Sequence, residues 1–308
     1  MIACFDIGGS AIKAAIARSP SEIEILGSRP TPLRDFDAFA DALAAAIADA
    51  RLPAQAPAAL SITGVVDPAT GTIKVANIPC IDGRTLGADL TQRLARPVTV
   101  ANDADCFALA EAVEGAGAGH RIVFGAILGT GVGGGLVIDG RLVQGAGGFA
   151  GEWGHGPITA TRAGTPSVEV PRFSCGCGQV GCVDAVGGAR GLERLHAHLH
   201  GLERTSREIT DAWLAGEPAA ARTIDVYTDL VADPLALVVN IVGADIIPVG
   251  GGLSNVRPLL ERLDAAVRAR ILRRTSAPLV VPAQCRVEPG LIGAAILGLR
   301  EDAHAAAA

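Results

Sequence analysis

The sequence predicts an α/β protein, because short apolar runs of strand length alternate with longer runs whose apolar residues recur at helical spacing. Two further observations hang loops on that frame. Glycine-rich turns follow strand-like segments at residues 8–9, 129–135 and 250–252. Three cysteines crowd into residues 175–182, where intervening glycines allow a tight wrap.

Composition narrows the class. With 308 residues, 49% of them apolar, the chain can build a sizeable core, and 39 glycines with only 3% aromatics favour close backbone packing. A net charge of -6 provides no broad basic field for nucleic acid, so any phosphate site must be local. Asp6 interrupts the first apolar run, which argues against a signal peptide. The longest uncharged stretch, 122–138, is glycine-studded and shorter than the ~20 residues of a membrane span. A cytoplasmic location with no membrane partner is the expectation. Cys4, Cys80, Cys106 and Cys285 lie scattered in apolar surroundings and read as small core hydrophobes, not as a disulfide framework.

The elements follow in order. Residues 2–7 read as a buried strand, turned by Gly8-Gly9-Ser10 into a second apolar segment at 12–17. Phe36, Phe39, Ala40, Leu43 and Ile47 mark an amphipathic helix over 35–50. Strands are expected at 59–62 and 98–101, and helices at 85–94 and 104–113. Strand-like runs at 122–128 and 136–138 flank a glycine-rich turn, and Asp139-Gly140 signals a hairpin. Residues 145–182 read as irregular, and the chain beyond 190 as mostly helical, with strands at 246–249 and 279–281. A helix over 291–299 closes the chain, and the Ala-rich tail beyond it is expected to be disordered. No sequence repeat is visible, although the similar glycine-rich hairpins near 8 and 131 hint at a duplicated architecture.

Five segments carry the chemistry. In Asp6-Ile-Gly8-Gly9-Ser10-Ala-Ile-Lys13, backbone N–H groups can approach an anion and Asp6 can hold Mg²⁺; a plain hairpin turn is the bland alternative. Gly129-Thr130-Gly131-Val-Gly133-Gly-Gly formally matches a dinucleotide fingerprint. A hairpin pattern follows it instead of a helix, so a phosphate-cradling loop between two strands fits better. Gly250, Gly251 and Gly252 sit between a strand and Ser254, a candidate helix N-cap, and allow close approach of a nucleotide. Asp103, after Asn102, starts a helix and is either a general base or a cap. Cys175, Cys177 and Cys182 read as three thiolate ligands of a closed, structural Zn²⁺ site. Its fourth ligand is a histidine, with His155 the first candidate and His196, His198 and His200 the competitors.

In order and content these segments resemble the ROK family of bacterial sugar kinases and repressors, from Asp6 to about residue 295. The resemblance implies an actin-like ATPase (ribonuclease H-like) fold of two domains with an interdomain cleft, divided as 1–105 plus 291–303 and 106–290. It implies that Asp6, Gly8, Gly9, Ser10 and Lys13 form one phosphate loop and Gly129, Thr130, Gly131 and Gly133 another, with Gly250–Gly252 as the adenosine motif. It makes Asp103 the catalytic base, Glu152 a sugar contact and His155 both sugar-adjacent and the zinc ligand, and it adds Asn77 and Asn102 to the sugar site. Several positions depart from the family pattern. Ser10 replaces Thr, Thr63-Gly64 stands where Pro-Gly is typical, Gly187 replaces Ser, and Asp184 replaces a sugar-contacting Glu. ATP, Mg²⁺ and structural Zn²⁺ are thus the implied cofactors, a small-molecule sugar and ATP the partners, and a homodimer the implied assembly. Residues 77–79, 83–86 and 129–136 look most like N-acetylglucosamine kinases, whereas Gly-Glu-Trp-Gly-His looks fructokinase-like. The rival from another class, a sugar-responsive repressor or sensor, would carry a helix-turn-helix ahead of the core, for which a phosphate loop at residue 6 leaves no room.

Overall fold

A computed structural model describes residues 1–285 and 288–307. The chain forms two compact units. One comprises Met1–Gly115, Arg141–Ala150 and the chain from Cys285 onward; the other comprises Ala116–Gly140 and Gly151–Gln284.

In the first unit, strands β1 (Ile2–Ile7), β2 (Ala11–Ser19), β3 (Glu22–Pro30), β4 (Ala58–Ile62) and β5 (Val98–Asn102) line up in the order β3-β2-β1-β4-β5. β2 runs antiparallel to β1, while β4 and β5 continue the sheet in parallel. The period-2 alternation of β1 divides its side chains between two layers. Ala3, Phe5 and Ile7 pack with Phe39 and Leu43 of helix α1 (Phe36–Asp49) and with Leu86 and Leu90 of α2 (Leu86–Leu94). Ile2 and Cys4 pack on the other face against Leu291, Ala294 and Ala295 of the C-terminal helix (Pro289–Ala307). That face also receives α3 (Asp103–Glu114), whose Cys106 backbone sits where a side chain on Gly293 would have to go.

In the second unit, β6 (Ile122–Leu128), β7 (Val132–Ile138), β8 (Ile247–Gly250) and β9 (Val280–Pro282) adopt the order β7-β6-β8-β9. β7 is antiparallel to β6, and β8 and β9 are parallel to their neighbours. This repeats the β2-β1-β4-β5 arrangement, so the duplication hinted at by the two glycine hairpins is real at the level of topology. Helices α4 (Asp184–Gly187), α5 (Ala189–His200), α6 (Ser206–Leu214), α7 (Pro218–Val242) and α8 (Arg257–Arg268) surround the core of this unit. The wholly buried Tyr227 anchors α7 by donating its hydroxyl hydrogen to the Gly187 carbonyl at 2.7 Å.

The structure departs from the sequence reading in four places. β3 escapes the sequence pattern because most of its residues are exposed and no apolar alternation marks it; pairing with β2 makes it a strand. The Ala-rich tail continues the last helix to Ala307, in keeping with the helical propensity of alanine. Ser254 does not cap α8: its hydroxyl bonds the Gly251 carbonyl inside a 3₁₀ turn over Gly252–Asn255, and Val256 precedes α8. Of the four scattered cysteines, Cys4 and Cys106 are core residues, whereas Cys80 and Cys285 are only half-buried.

Candidate active site and metal centre

In the first unit the chemistry gathers at the carboxyl end of β1. Asp6 occupies the next position after Ile2 and Cys4 on the face toward the C-terminal helix. There its Oδ1 accepts the Ser61 hydroxyl at 2.9 Å, and Gly290, at the start of the helix, sits so close that any side chain would collide with the carboxylate. Burial raises the Asp6 pKa, opposed by the Ser61 hydrogen bond and by Lys13, whose Nζ lies 4.0 Å away. Lys13 is held more tightly by Glu288, Nζ to Oε2 2.6 Å, and that bond raises the lysine pKa. Ser61, Glu288 and Gly290 are site residues that local sequence reasoning missed, because each reaches Asp6 or Lys13 from a distant segment.

The turn after β1 is pinned by Thr31, which donates its hydroxyl to the Gly8 carbonyl at 2.7 Å, and by the Gly8 N–H bond to Ala11 at 3.0 Å. Gly8 and Ser10 are left exposed, and the Asn77 side chain lies against Gly9, where an added Cβ would come within 3.2 Å of its amide nitrogen. Asn102 rather than Asp103 caps α3. Its Oδ1 accepts the N–H groups of Ala104 (2.8 Å) and Asp105 (3.2 Å), and its amide donates to the Gly64 carbonyl at 2.8 Å. Gly64 meets this bond at φ +107°, with the Lys74 carbonyl 2.7 Å from where a Cβ would sit, so only glycine fits. Asp103 is exposed as the first residue of α3, with Oδ1 2.9 Å from the Ala104 N–H.

The second unit brings together the other glycine loops and the cysteine cluster. Gly251, at φ +88°, stacks so tightly on Leu128 and Gly129 that a Cβ would lie 2.5 Å from the Gly129 nitrogen, which joins the 250–252 turn to the 129–131 loop. Behind that loop, the Trp153 indole donates to the Gly133 carbonyl at 2.8 Å, and its ring fills the space beside Gly134. Gly133 and Gly134 thus seat the Gly-Glu-Trp-Gly-His segment.

His155, Cys175, Cys177 and Cys182 direct one ligand atom each to a common point, all four within 4.8 Å of one another. Cys177 Sγ lies 3.7 Å from Cys182 Sγ, and Cys175 Sγ lies 3.6 Å from His155 Nδ1. A tetrahedral ion with metal–sulfur bonds of about 2.3 Å and a metal–nitrogen bond of about 2.0 Å requires edges of roughly 3.8 and 3.5 Å. The donor set therefore suits a metal of zinc type, and His196, His198 and His200 are not in it. His196 and His200 instead share the Thr223 hydroxyl, at 2.8 and 3.1 Å. Burial and the neighbouring thiols push Cys182 up to about 12. Thiolates so crowded need a cation to coexist. His155 turns its other nitrogen toward Glu152, Nε2 to Oε2 3.8 Å, near enough for electrostatic attraction but too long for a hydrogen bond. Burial raises the Glu152 pKa, with His155 opposing. Asp184 points its Oδ1 at the Val132 N–H (2.7 Å) and its Oδ2 at Cys175 Sγ (3.7 Å).

Known proteins match the chain along nearly its whole length. The family model described as "ROK family" matches residues 2–301. An N-acetylgalactosamine kinase of Shewanella sp. is 38% identical over 300 residues, covering 97% of this chain and 96% of the relative. An N-acetyl-D-glucosamine kinase of Salmonella gallinarum is 35% identical over 299 residues, covering 96% and 99%. The crystal structure of a ROK hexokinase from Thermus thermophilus superposes with a TM-score of 0.82 at 29% identity, covering 98% of this chain and 99% of that one.

Proposed function

Because the chain belongs to the ROK family, we propose that it is an ATP-dependent kinase of amino sugars, transferring the γ-phosphoryl group to the 6-hydroxyl, with N-acetylglucosamine as the first candidate acceptor. The observation that carries this reading is full-length similarity, at 34–38% identity, to relatives named as N-acetylglucosamine and N-acetylgalactosamine kinases. The Shewanella relative makes N-acetylgalactosamine the competing acceptor.

The residues support the assignment. Asp103 is exposed at the first position of α3, beside the helix-capping Asn102, and from there its carboxylate faces a substrate hydroxyl and accepts its proton as the oxygen attacks phosphorus. Asn102 then acts by holding Asp103 and Gly64 in place, and Asn77 offers its amide beside Gly9. The N–H groups of the 8–10 and 129–131 loops, with Lys13, bind phosphate oxygens, and the 250–252 turn receives the adenosine. Asp6 suits Mg²⁺, a hard cation that neutralises phosphate charge, because its carboxylate stands at the end of β1 beside the 8–10 turn. Glu152, raised in pKa and beside His155, accepts from sugar hydroxyls, and the Cys₃His group holds a structural Zn²⁺ that keeps this segment folded. A cytoplasmic homodimer completes the proposal.

An ATP-coupled assay across N-acetylglucosamine, N-acetylgalactosamine, N-acetylmannosamine, glucose and fructose tests it, the highest kcat/KM naming the acceptor. Asp103→Asn should cut kcat by about 10²–10⁴-fold with sugar affinity held within a few-fold. Wild-type turnover in that variant would remove Asp103 from the role, and no phosphoryl transfer to any sugar would leave a sensor.

A further inference from the structure

Asp184 stands where the family resemblance implies a sugar-contacting carboxylate, yet its hydrogen bond runs elsewhere. Its Oδ1 accepts the Val132 N–H at 2.7 Å, immediately after the 129–131 loop, and presses against Gly131 on the side where a Cβ would project. Two neighbours act in the same direction. The Ala189 N–H donates to the Gly129 carbonyl at 2.8 Å, and the Arg190 N–H to the Thr130 carbonyl at 3.4 Å. Gly188 closes the contact, since a Cβ there would lie 2.6 Å from Gly131 Cα and 2.7 Å from the Thr130 oxygen.

The consequence follows from the planar trans peptide, in which the C=O of one residue and the N–H of the next point in opposite directions. Pinning the Gly129 carbonyl onto α5 turns the Thr130 N–H outward, and pinning the Thr130 carbonyl turns the Gly131 N–H outward. Drawing the Val132 N–H back to Asp184 ends the run. Only the two central amides of the loop remain presented, and Thr130 is exposed.

We infer that Asp184 is a positioning residue for the nucleotide, not a sugar contact: it fixes the 129–132 loop so that the Thr130 and Gly131 amides meet a phosphate. The inference rests on the kinase reading above. Asp184 follows the metal ligand Cys182 by two residues and touches Cys175, so the same short segment carries both the metal ligands and the brace of the phosphate loop.

The test measures MgADP affinity by calorimetry and sugar KM by turnover on the metal-loaded full chain and on three variants, with metal content checked by elemental analysis. Asp184→Asn keeps an oxygen that can accept the Val132 N–H and should bind MgADP within about threefold of wild type. Asp184→Ala loses the acceptor. Asp184→Glu keeps the charge, but its longer side chain cannot fit between Gly131 and the Val132 N–H. Both should weaken MgADP about tenfold at unchanged metal content and sugar KM. If the alanine variant does not fold, the contrast between the asparagine and glutamate variants still decides. Unchanged MgADP affinity in all three, with sugar KM raised in the alanine and asparagine variants, would overturn the inference. A wild-type protein that binds no MgADP would instead overturn the kinase reading on which it rests.

Discussion

Gly290→Ala probes how the C-terminal helix shapes the Asp6 site. The added methyl would sit 2.7 Å from Asp6 Cγ and 2.8 Å from Ser61 Oγ, and it would meet the carboxylate oxygen as well. Neither neighbour has room to retreat: Ser61 is wholly buried on β4, and Asp6 is paired on both sides, to Lys13 and to Ser61. Overpacking of this kind costs about 1–3 kcal/mol. The intrinsic gain of alanine over glycine in a helix is at most about 1 kcal/mol, and smaller in the first turn. The net is a loss of roughly 1–2 kcal/mol, which at about 2–4 °C per kcal/mol lowers Tm by roughly 2–8 °C. Because the displaced group is the carboxylate itself, MgATP affinity should fall about tenfold as well. Thermal unfolding and calorimetric titration read the two effects. Ser61→Ala supplies the internal control. It removes one of the colliding atoms, so Gly290→Ala should cost less in that background, a coupling that a double-mutant cycle measures. A Gly290→Ala protein more stable than wild type, or costs that add without coupling, would refute the close-contact argument.

Other outcomes follow from the same sites. Asp6→Asn should raise Tm by a few degrees at neutral pH while abolishing turnover, because the amide keeps the Ser61 hydrogen bond and removes a buried charge. A raised carboxylate pKa in the folded state means that ionisation opposes folding more as pH rises from the ordinary carboxylate range through the raised value. The wild-type deficit should therefore vanish below that range, and a gap in Tm that persists there would contradict it. Chelation should release one metal ion per chain, lower Tm, and expose new reactive thiols with the exposed Cys177 first among them. An unchanged thiol titre and melting point would count against the Cys₃His site.

The split between legible and hidden features tracks sequence separation. β1, α1 and the hairpin turn at Asp139-Gly140, where both residues have positive φ, could be read locally because each is specified by its own periodicity or turn chemistry. The metal cluster was legible because its three cysteines share one short loop, although selecting His155 over the α5 histidines needed either the family resemblance or the fold. That Asn102 caps α3 and also bonds the Gly64 carbonyl was only half legible, since the cap lies next to it in the chain and Gly64 lies 38 positions away.

Glu288 shows the limit most clearly: it lies 275 positions from Lys13 yet makes its shortest ion pair. Composition, periodicity and motif spacing determined the α/β class, the glycine loops and the thiol ligand set, because these depend on neighbours along the chain. Only the tertiary structure decided that Ser61, Glu288 and Gly290 surround Asp6, and that Asp184 turns toward Val132. A carboxylate's partner depends on which backbone lies within hydrogen-bonding reach, and packing alone determines that.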